Sequence, residues 1–325
     1  MMDYKLLHNF VSENHKNICQ ITTMKKGKVV YSDTWNGFDG QDHFHIASVT
    51  KSIISLLIGI AVDKKLMNLD QKILEFYPDY QMKRGEKTIQ QITIRHLLTM
   101  TAPYKFKSEP WTKVCSSPDW SKTVLDLMGG RRGITGEFKY TTLGIQVLSD
   151  LISKVSGIST IEFANAVLFS PLGIKPRIAY TVKNKEEYID FITSKEPKKS
   201  VWFCESNGNV TAGFGLCMSS LEMAKIGQMC LEKGVYQNQR IISANWIKEM
   251  TSSSVQCGER FGFMNYGYLW WIIDSQNNIF AAIGDGGNVI YINPVKEFIV
   301  TVTSTFKPAV FDRIQFIQEH IEPMM

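Results

Sequence analysis

The chain has 325 residues, 44% of them hydrophobic, and a formal net charge of +5 from 36 basic and 31 acidic residues. This length and composition are typical of a globular protein with a large core, arranged as one large domain or two interleaved ones, and they exclude a disordered chain. The basic residues are spread along the sequence without a long run and without interleaved aromatic residues, which argues against a nucleic-acid partner.

The N-terminal segment lacks the basic start, apolar run and small-residue cleavage site of a secretory signal. The longest apolar run, within residues 52–62, is too short to span a bilayer. We therefore expect a soluble, cytoplasmic protein without a membrane partner. The sequence indicates no oligomeric state.

The first predicted elements lead to an apolar helix. Residues 3–15 are predicted to form an amphipathic helix, and residues 18–35 a β-hairpin. A loop rich in glycine and aspartate follows up to Asp42. From Ser48 to Val62 apolar residues recur at intervals of three and four, which predicts a mostly buried helix.

The middle of the chain is predicted to be helical, with long polar loops between the helices. Helices are predicted at 68–78, 93–100, 119–128, 143–156, 160–168, 220–233 and 243–251. Short β-rich runs separated by turn residues follow at 268–273, 279–283, 288–292 and 298–305. A final helix is predicted at 309–321.

The spacing of the β-rich runs implies an antiparallel meander, which we expect to share one sheet with the N-terminal hairpin, with helices on both sides. The expected fold class is therefore α+β, an antiparallel β-sheet flanked by helices with a mostly helical inserted domain. We predict a sheet domain formed by residues 1–66 and 206–325, and a helical domain formed by residues 67–205.

The cysteines and histidines predict neither disulfides nor a metal site. The six cysteines are Cys19, Cys115, Cys204, Cys217, Cys230 and Cys257. They lie far apart without a Cys-x-x-Cys pair, so free and mostly buried thiols are expected. His43 and His45 are close in sequence, but no further set of metal-ligand spacing accompanies them.

Ser48 and Lys51 are three residues apart on the predicted apolar helix, so they share a face. A lysine that burial keeps neutral can take the proton of a serine hydroxyl and so make the serine a nucleophile. At the first turn of a helix, the backbone N–H of Ser48 is also free to stabilise an oxyanion. The alternative is that Ser48 is only a helix N-cap, which is the commoner role of a serine at a helix start.

Two other stretches add candidate residues. Tyr140 precedes a predicted helix, and its hydroxyl is a candidate for exchanging a proton with Ser48, with a neighbouring ammonium expected to lower its pKa. Glycines interrupt a strand pattern in residues 282–291, which often marks the close approach of another backbone or a ligand. In that segment Asn288 is the candidate for the second backbone oxyanion donor.

Together these features resemble the serine β-lactamase and penicillin-binding-protein superfamily, which has a β-lactamase/transpeptidase-like fold and a Ser-x-x-Lys motif. The likeness is greatest to its class C and carboxylesterase branch, which includes 6-aminohexanoate-dimer hydrolases. The stretches that carry the resemblance are Ile46–Ser52, Ile94–Thr101, Phe138–Gly144, 212–234, Tyr266–Trp271 and Gly284–Gly287.

The resemblance implies roles for three catalytic residues. Ser48 would be the acylated nucleophile, Lys51 its proton partner, and Tyr140 the second acid/base group. The implied reaction is attack on a small ester or amide and hydrolysis of the acyl-enzyme by water, with no metal or organic cofactor.

The chain departs from the family pattern at two predicted substrate-binding positions. Thr142 stands where the family usually has the Asn of Tyr-x-Asn, so a shorter hydroxyl replaces a side-chain amide. Asp285 stands where the third motif usually has Lys or His, and an aspartate there would repel a substrate carboxylate. Poor hydrolysis of β-lactams and of D-alanyl-D-alanine peptides is therefore expected. Asp285 is alternatively only a turn former.

Three further residues are predicted to bind substrate: Gly286, Gly287 and Trp271. Packing is the alternative for Trp271, as it is for Tyr140. Two other functions also stay open at this point. A sensor or binding module would be acylated without turnover, and a peptidase would act on D-amino-acid peptides.

Overall fold

The structure, a computed structural model, describes residues 3–182, 184–252, 255–262 and 264–325. Within these residues the chain builds an eight-stranded antiparallel sheet, whose strands lie in the spatial order 28–34, 18–25, 298–304, 288–293, 279–284, 271–274, 265–266 and 255–256. The strands are β1 (Ile18–Lys25), β2 (Lys28–Thr34), β3 (Phe44–His45), β4 (Ile178–Thr181), β5 (Val201–Cys204), β6 (Cys217–Met218), β7 (Val235–Tyr236), β8 (Gln239–Arg240), β9 (Val255–Gln256), β10 (Asn265–Tyr266), β11 (Trp271–Asp274), β12 (Ile279–Gly284), β13 (Asn288–Asn293) and β14 (Phe298–Ser304).

The α-helices are α1 (Tyr4–Asn14), α2 (Val49–Asp63), α3 (Ile94–Leu98), α4 (Trp111–Cys115), α5 (Trp120–Leu127), α6 (Val147–Ser156), α7 (Thr160–Ala164), α8 (Lys185–Thr193), α9 (Ser220–Leu231), α10 (Ala244–Ser252) and α11 (Ile314–Phe316). Short 3₁₀-helices lie at Ile73–Phe76, Thr88–Gln91, Glu259–Phe261 and Glu322–Met324, and π-helical turns at Asn165–Phe169 and Ile317–Ile321.

The N-terminal hairpin and the C-terminal meander share the large sheet, because β1 pairs with β14. Helices cover both of its faces. Thr22 of β1 is hydrogen-bonded to Ser220 at the start of α9, at 2.7 Å. The next residue of β1 lies opposite Tyr31, whose ring stacks on Tyr4 of α1 at 4.8 Å. Because successive strand residues face opposite sides, α9 and α1 lie on opposite faces, and the predicted fold class is confirmed.

The helix predicted at 68–78 is wrong, since that segment holds only the 3₁₀-helix Ile73–Phe76, and the helix predicted at 143–156 begins at Val147. Two further predicted boundaries are wrong for local reasons. The strand predicted at 268–273 begins only at Trp271. Leu269 has a φ of +59°, which a strand does not accommodate, and its backbone instead bonds to Leu98 and Ser52. The last helix begins at Ile314 rather than near residue 309, because Arg313 is buried and bonds to Asn17.

The middle of the chain contains more than helices. The parallel strands β4 and β5 pair with each other within the segment predicted as a helical domain. The sequence analysis also missed α8, although Asn184 caps it and acidic residues stand in its first turn. The division into a domain of residues 1–66 and 206–325 and one of residues 67–205 stays a prediction.

The helix α2 is buried along nearly its whole length, from Val49 to Ala61, and packs on β12 and α6. All six cysteines are free, as expected. Within the described part of the chain, no helix has the length and apolar character needed to cross a membrane.

Gly59 allows α2 to pack closely on Trp246 of α10, and its replacement should destabilise the fold. A Cβ at Gly59 would lie 2.4 Å from the Trp246 ring. A 2.4 Å approach is a severe clash, so we expect overpacking in Gly59→Ala to cost about 2–3 kcal/mol. Better helix propensity returns about 1 kcal/mol, so the free energy of unfolding should fall by about 1–2 kcal/mol. Urea denaturation measures the change.

Gly40→Ala is the matched control, because a Cβ there meets nothing within 4 Å and its φ is not positive. Equal or higher stability of Gly59→Ala would show that the Trp246 ring adjusts without cost, contrary to the close packing described.

Candidate active site

Ser48 stands at a sharp turn between a short strand and the buried helix. The strand β3 pairs with β6, and the backbone N–H of Ile46 donates to Leu216 at 3.0 Å. Ala47 then has a φ of +47°, a conformation that costs a residue with a Cβ about 1–3 kcal/mol. This turn places Ser48 immediately before the first residue of α2.

The hydroxyl of Ser48 does not cap α2, because it accepts no hydrogen bond from the first turn. Its partner is Lys51, whose Nζ lies 2.8 Å from the Ser48 Oγ. Within the described residues, the backbone N–H of Ser48 donates no hydrogen bond. Both the side chain and the amide of Ser48 are therefore available for chemistry.

Lys51 is 1% exposed, and its ammonium makes one hydrogen bond for each N–H. Its Nζ lies 2.8 Å from the Ser48 Oγ, 3.1 Å from the Thr142 Oγ1 and 2.8 Å from the carbonyl oxygen of Gly213. When the amine is neutral, it can still donate hydrogen bonds to Thr142 and Gly213, and its lone pair can accept a hydrogen bond from the Ser48 hydroxyl. The same geometry therefore satisfies both protonation states.

Burial lowers the pKa of Lys51 to about 8, because the charged form loses its hydration. The negative charges of Glu109 and Asp285 act in the opposite direction and raise this pKa. Since the first effect is larger, a substantial fraction of Lys51 is neutral in mildly alkaline solution. The expected burial of Lys51 is confirmed, and its role as a base stays a prediction.

Tyr140 lies beside both residues. The Lys51 Nζ is 4.9 Å from the centre of the Tyr140 ring, and the Ser48 side chain acts on the pKa of the phenol. Burial raises the pKa of Tyr140 well above its ordinary value, hydrogen bonding with Ser48 lowers it less, and the charges of Asp285 and Glu109 raise it further. The expected lowering of this pKa is wrong, because desolvation outweighs the effect of Ser48, so Tyr140 stays a protonated phenol.

Aromatic rings pack behind Tyr140. The Trp271 ring centre lies 5.6 Å from that of Tyr140, and those of Phe261 and Tyr266 lie 5.9 Å and 6.1 Å away. Trp271 is only 2% exposed and Trp270 is fully buried. Trp271 thus supports the Tyr140 ring, and a direct contact between Trp271 and substrate stays a prediction.

Glu109 holds the loop that follows Tyr140. One of its carboxylate oxygens accepts hydrogen bonds from the backbone N–H groups of Thr142, at 2.5 Å, and Leu143, at 2.7 Å, and from the Thr141 hydroxyl. The Thr142 hydroxyl is thereby fixed against Lys51. Glu109 thus orients the loop and also raises the pKa of Lys51 through its charge.

The end of β12 lies against the serine. A Cβ at Gly284 would lie 2.5 Å from the carbonyl oxygen of Ile46 and 2.9 Å from the backbone nitrogen of Ser48, so only glycine fits there. The next residue, Asp285, is exposed, and its backbone N–H donates no hydrogen bond among the described residues. Its charge also acts on Lys51 and Tyr140.

The rest of the glycine-rich segment is buried on other partners. Cβ atoms at Gly286 and Gly287 would lie 2.6 Å from the Thr305 carbonyl oxygen and the Arg313 Nε, respectively. Asn288 is fully buried, and its side chain bonds to Ser304 and Asp285. The structure thus brings Ser48, Lys51, Tyr140, Thr142, Gly284 and Asp285 together. It gives Gly286, Gly287 and Asn288 structural contacts, and their roles toward substrate stay predictions.

Sequence reasoning missed Glu109, the Gly213 carbonyl and the strained Ala47. Glu109 is more than 30 residues from the loop it holds, and Gly213 acts through its backbone. Neither leaves a local pattern in the sequence. Ala47 occupies a conformation where glycine is the usual signal, so nothing marked that turn in advance.

The sequence of the chain is similar to those of known proteins. A family model described as Beta-lactamase matches residues 19–320. The 6-aminohexanoate-dimer hydrolase of Paenarthrobacter ureafaciens is 20% identical over 289 residues, which are 83% of this chain and 68% of that protein.

Solved structures with the same fold cover the whole chain or nearly so. The penicillin binding protein from Bacillus halodurans has a TM-score of 0.71 at 18% identity, and the match covers 100% of both chains. The D-stereospecific amidohydrolase from a Streptomyces species has a TM-score of 0.71 at 12% identity, over 98% of this chain and 99% of that one.

Two variants of Glu109 should distinguish the effect of its charge from the effect of its hydrogen bonds. Glu109→Gln keeps an oxygen for the loop but removes a negative charge that raises the pKa of Lys51. We therefore expect the rise in the rate of Ser48 acylation to move from about pH 8 to a lower pH, by about half a unit. The pH dependence of labelling by a fluorophosphonate probe measures this.

Glu109→Ala is the companion variant, because it removes the acceptor as well and should slow labelling at every pH. If the labelling rate of Glu109→Gln rises at the same pH as that of the unaltered protein, Glu109 does not act on Lys51 through its charge.

Proposed function

The chain belongs to the Beta-lactamase family, and on that premise we propose that it is a serine hydrolase that forms an acyl-enzyme on Ser48 and hydrolyses a small ester or amide. Membership in the family confirms the superfamily that the sequence resembles; the class C branch stays a prediction. The observation that carries the proposal is the 2.8 Å contact between the Ser48 hydroxyl and a buried amine whose pKa is lowered to about 8.

In the proposed first half-reaction, neutral Lys51 accepts the Ser48 proton as the serine oxygen attacks the carbonyl carbon. The ammonium that forms keeps the Gly213 carbonyl as an acceptor. Tyr140 is a protonated phenol beside Lys51, so it gives its proton to the leaving alcohol or amine and regains one from Lys51. These transfers return Lys51 to its neutral form and leave the acyl group on Ser48.

Two backbone N–H groups would stabilise the oxyanion, those of Ser48 and Asp285. Both lack hydrogen-bond partners among the described residues, and Gly284 holds the Asp285 strand end against Ser48. We prefer Asp285 to the predicted Asn288, because Asn288 pairs with Gly284 from β13, about 4.8 Å farther across the sheet. In the second half-reaction a water molecule would replace the leaving group and follow the same proton path in reverse.

The acidic side chain of Asp285 would select substrates without a negative charge near the reacting carbonyl. The charges of Asp285 and Glu109 both reach Lys51, so an anionic acyl group would meet repulsion there. We therefore propose neutral or amine-bearing esters and amides as substrates, with weak activity on β-lactams. Amides of D-amino acids are further candidate substrates, since one protein with a similar solved structure is a D-stereospecific amidohydrolase.

Ser48→Ala should abolish the proposed activity. With p-nitrophenyl butyrate we expect steady turnover by the unaltered protein and a loss of about 10³-fold or more in kcat for the variant. Ser55→Ala is the control in the same helix, because the Ser55 hydroxyl is buried without a hydrogen-bond partner among the described residues. It should keep near-normal turnover.

The same assay distinguishes the alternatives. A single stoichiometric release of p-nitrophenol without turnover would indicate a sensor that is acylated once. Failure of a fluorophosphonate probe to label Ser48 would contradict both the hydrolase and the sensor.

Asp285→Lys should reverse the proposed charge preference. Relative to the unaltered protein, we expect kcat/KM for an anionic ester to rise against that for a cationic ester by about tenfold, which corresponds to about 1.4 kcal/mol. Asp79→Lys, at an exposed position, makes the same change in net charge elsewhere and should leave the ratio unchanged. If Asp285→Lys leaves the ratio unchanged, Asp285 does not select substrates by charge and acts only as a turn residue.

A further inference from the structure

A basic cavity of about 930 Å³ adjoins the segment that leads to Tyr140. Its walls come from residues 83–88, 101–107 and 129–139, and they include eight lysine and arginine residues but only two glutamates. The volume is typical of a small-molecule site. The cavity does not include Ser48 or Lys51, so it is distinct from the candidate active site.

The charge of the chain is concentrated here. The lining carries eight of the 36 basic residues and two of the 31 acidic residues, a net charge of +6. The other 28 basic and 29 acidic residues leave a net charge of −1, compared with +5 for the whole chain. A concave surface that gathers one sign of charge attracts and holds ligands of the opposite sign.

Hydrogen bonds between its walls build the cavity into the fold. The Gly129 N–H donates to the Pro103 carbonyl at 2.9 Å, and the Thr88 hydroxyl donates to the Gly130 carbonyl at 2.9 Å. Gly129 also makes room for Glu86, since a Cβ there would lie 2.4 Å from the Glu86 carboxylate. The three wall segments are thus held together without a ligand.

The two glutamates are already neutralised by neighbours. Glu86 forms an ion pair with Lys105 at 3.0 Å and accepts hydrogen bonds from the backbone of Thr88 and Ile89. Glu137 pairs with Arg132 at 3.1 Å. Because both glutamates are paired with one cation each, the cavity keeps an excess of unpaired cations.

Of the eight cations, Lys83, Lys105 and Arg132 form ion pairs, and Lys139 is half-buried. The other four, Arg84, Lys87, Lys107 and Arg131, form no ion pair within the part of the chain that the structure describes. They come from all three wall segments and are exposed at the cavity. Arginine and lysine so arranged suit phosphate or carboxylate oxygens, which accept several charge-assisted hydrogen bonds at once.

We propose that this cavity binds a small polyanion, a molecule with two or more phosphate or carboxylate groups. A nucleic acid fits the surface less well, because it needs an extended basic stripe and the rest of the chain has a slightly negative net charge. The proposal is independent of the reaction at Ser48.

Titration calorimetry with inorganic pyrophosphate and with citrate, at physiological ionic strength, tests the proposal. We expect saturable one-to-one binding of at least one probe, and the preferred probe identifies phosphate or carboxylate chemistry. The variant Arg84→Ala/Lys87→Ala/Arg131→Ala should bind about tenfold more weakly, because it removes three of the exposed cations that would contact the anion.

The control Lys28→Ala/Lys122→Ala/Lys248→Ala removes the same charge from exposed positions elsewhere and should bind normally. Ser48→Ala should also bind normally, whatever the outcome of the esterase assay. As a measurement without variants, the probe should protect Lys87 and Lys107 from acetylation, read by mass spectrometry.

Three outcomes would overturn the proposal: no saturable binding of either probe, equal weakening in the control variant, or no protection of Lys87 and Lys107. Tighter binding of single-stranded DNA than of both probes would make the cavity part of a nucleic-acid surface instead.

Discussion

Lys51 has almost no contact with water, and a buried amine must find a partner for every N–H it carries. The three acceptors it uses come from different parts of the chain: Ser48, Thr142 and Gly213. Glu109 holds the loop that carries Thr142, and Ser48 is held at the start of α2. The helix α2 cannot lie where it does unless the loop after Tyr140 and the segment at Gly213 close around the amine.

The large sheet supplies the other side of this arrangement. Gly284 brings the end of β12 within contact of the Ser48 amide, and the close approach requires a residue without a Cβ. Aromatic packing from Trp271 holds the Tyr140 ring near the same point. Because strands, loop and helix each depend on the others, the site is a product of the tertiary fold rather than of any single motif.

The sequence predicts best what is encoded locally. Ser48 and Lys51 are one helical turn apart, so their contact follows from the helix alone, and the apolar pattern predicts the burial that lowers the pKa of Lys51. Pattern reasoning fails where long-range contacts decide. It did not find Glu109, which acts on a loop far along the chain. It also predicted a lowered pKa for Tyr140, because the extent of burial is visible only in the folded protein.

Register is a second limit. Glycines in residues 282–291 indicate close approach, but not which residue makes it: Gly284 meets Ser48, whereas Gly286 and Gly287 meet Thr305 and Arg313. A shift of one residue reverses the face of a strand, and composition does not specify it. The basic cavity was hidden for a related reason, since its cations come from three separate segments that form no run in sequence.

The two charged regions of the molecule have opposite signs. Acidic side chains surround the reacting groups, and the charges that shift the pKa of Lys51 are those of Glu109 and Asp285. The cations of the cavity are mostly exposed to water and salt, which screen their field beyond about 8 Å. Lys139 lies between the regions: it lines the cavity, and Glu109 raises its pKa against the effect of burial. The two regions therefore hold charge in different ways: the cavity cations face solvent, whereas the Lys51 amine is buried on its own three acceptors.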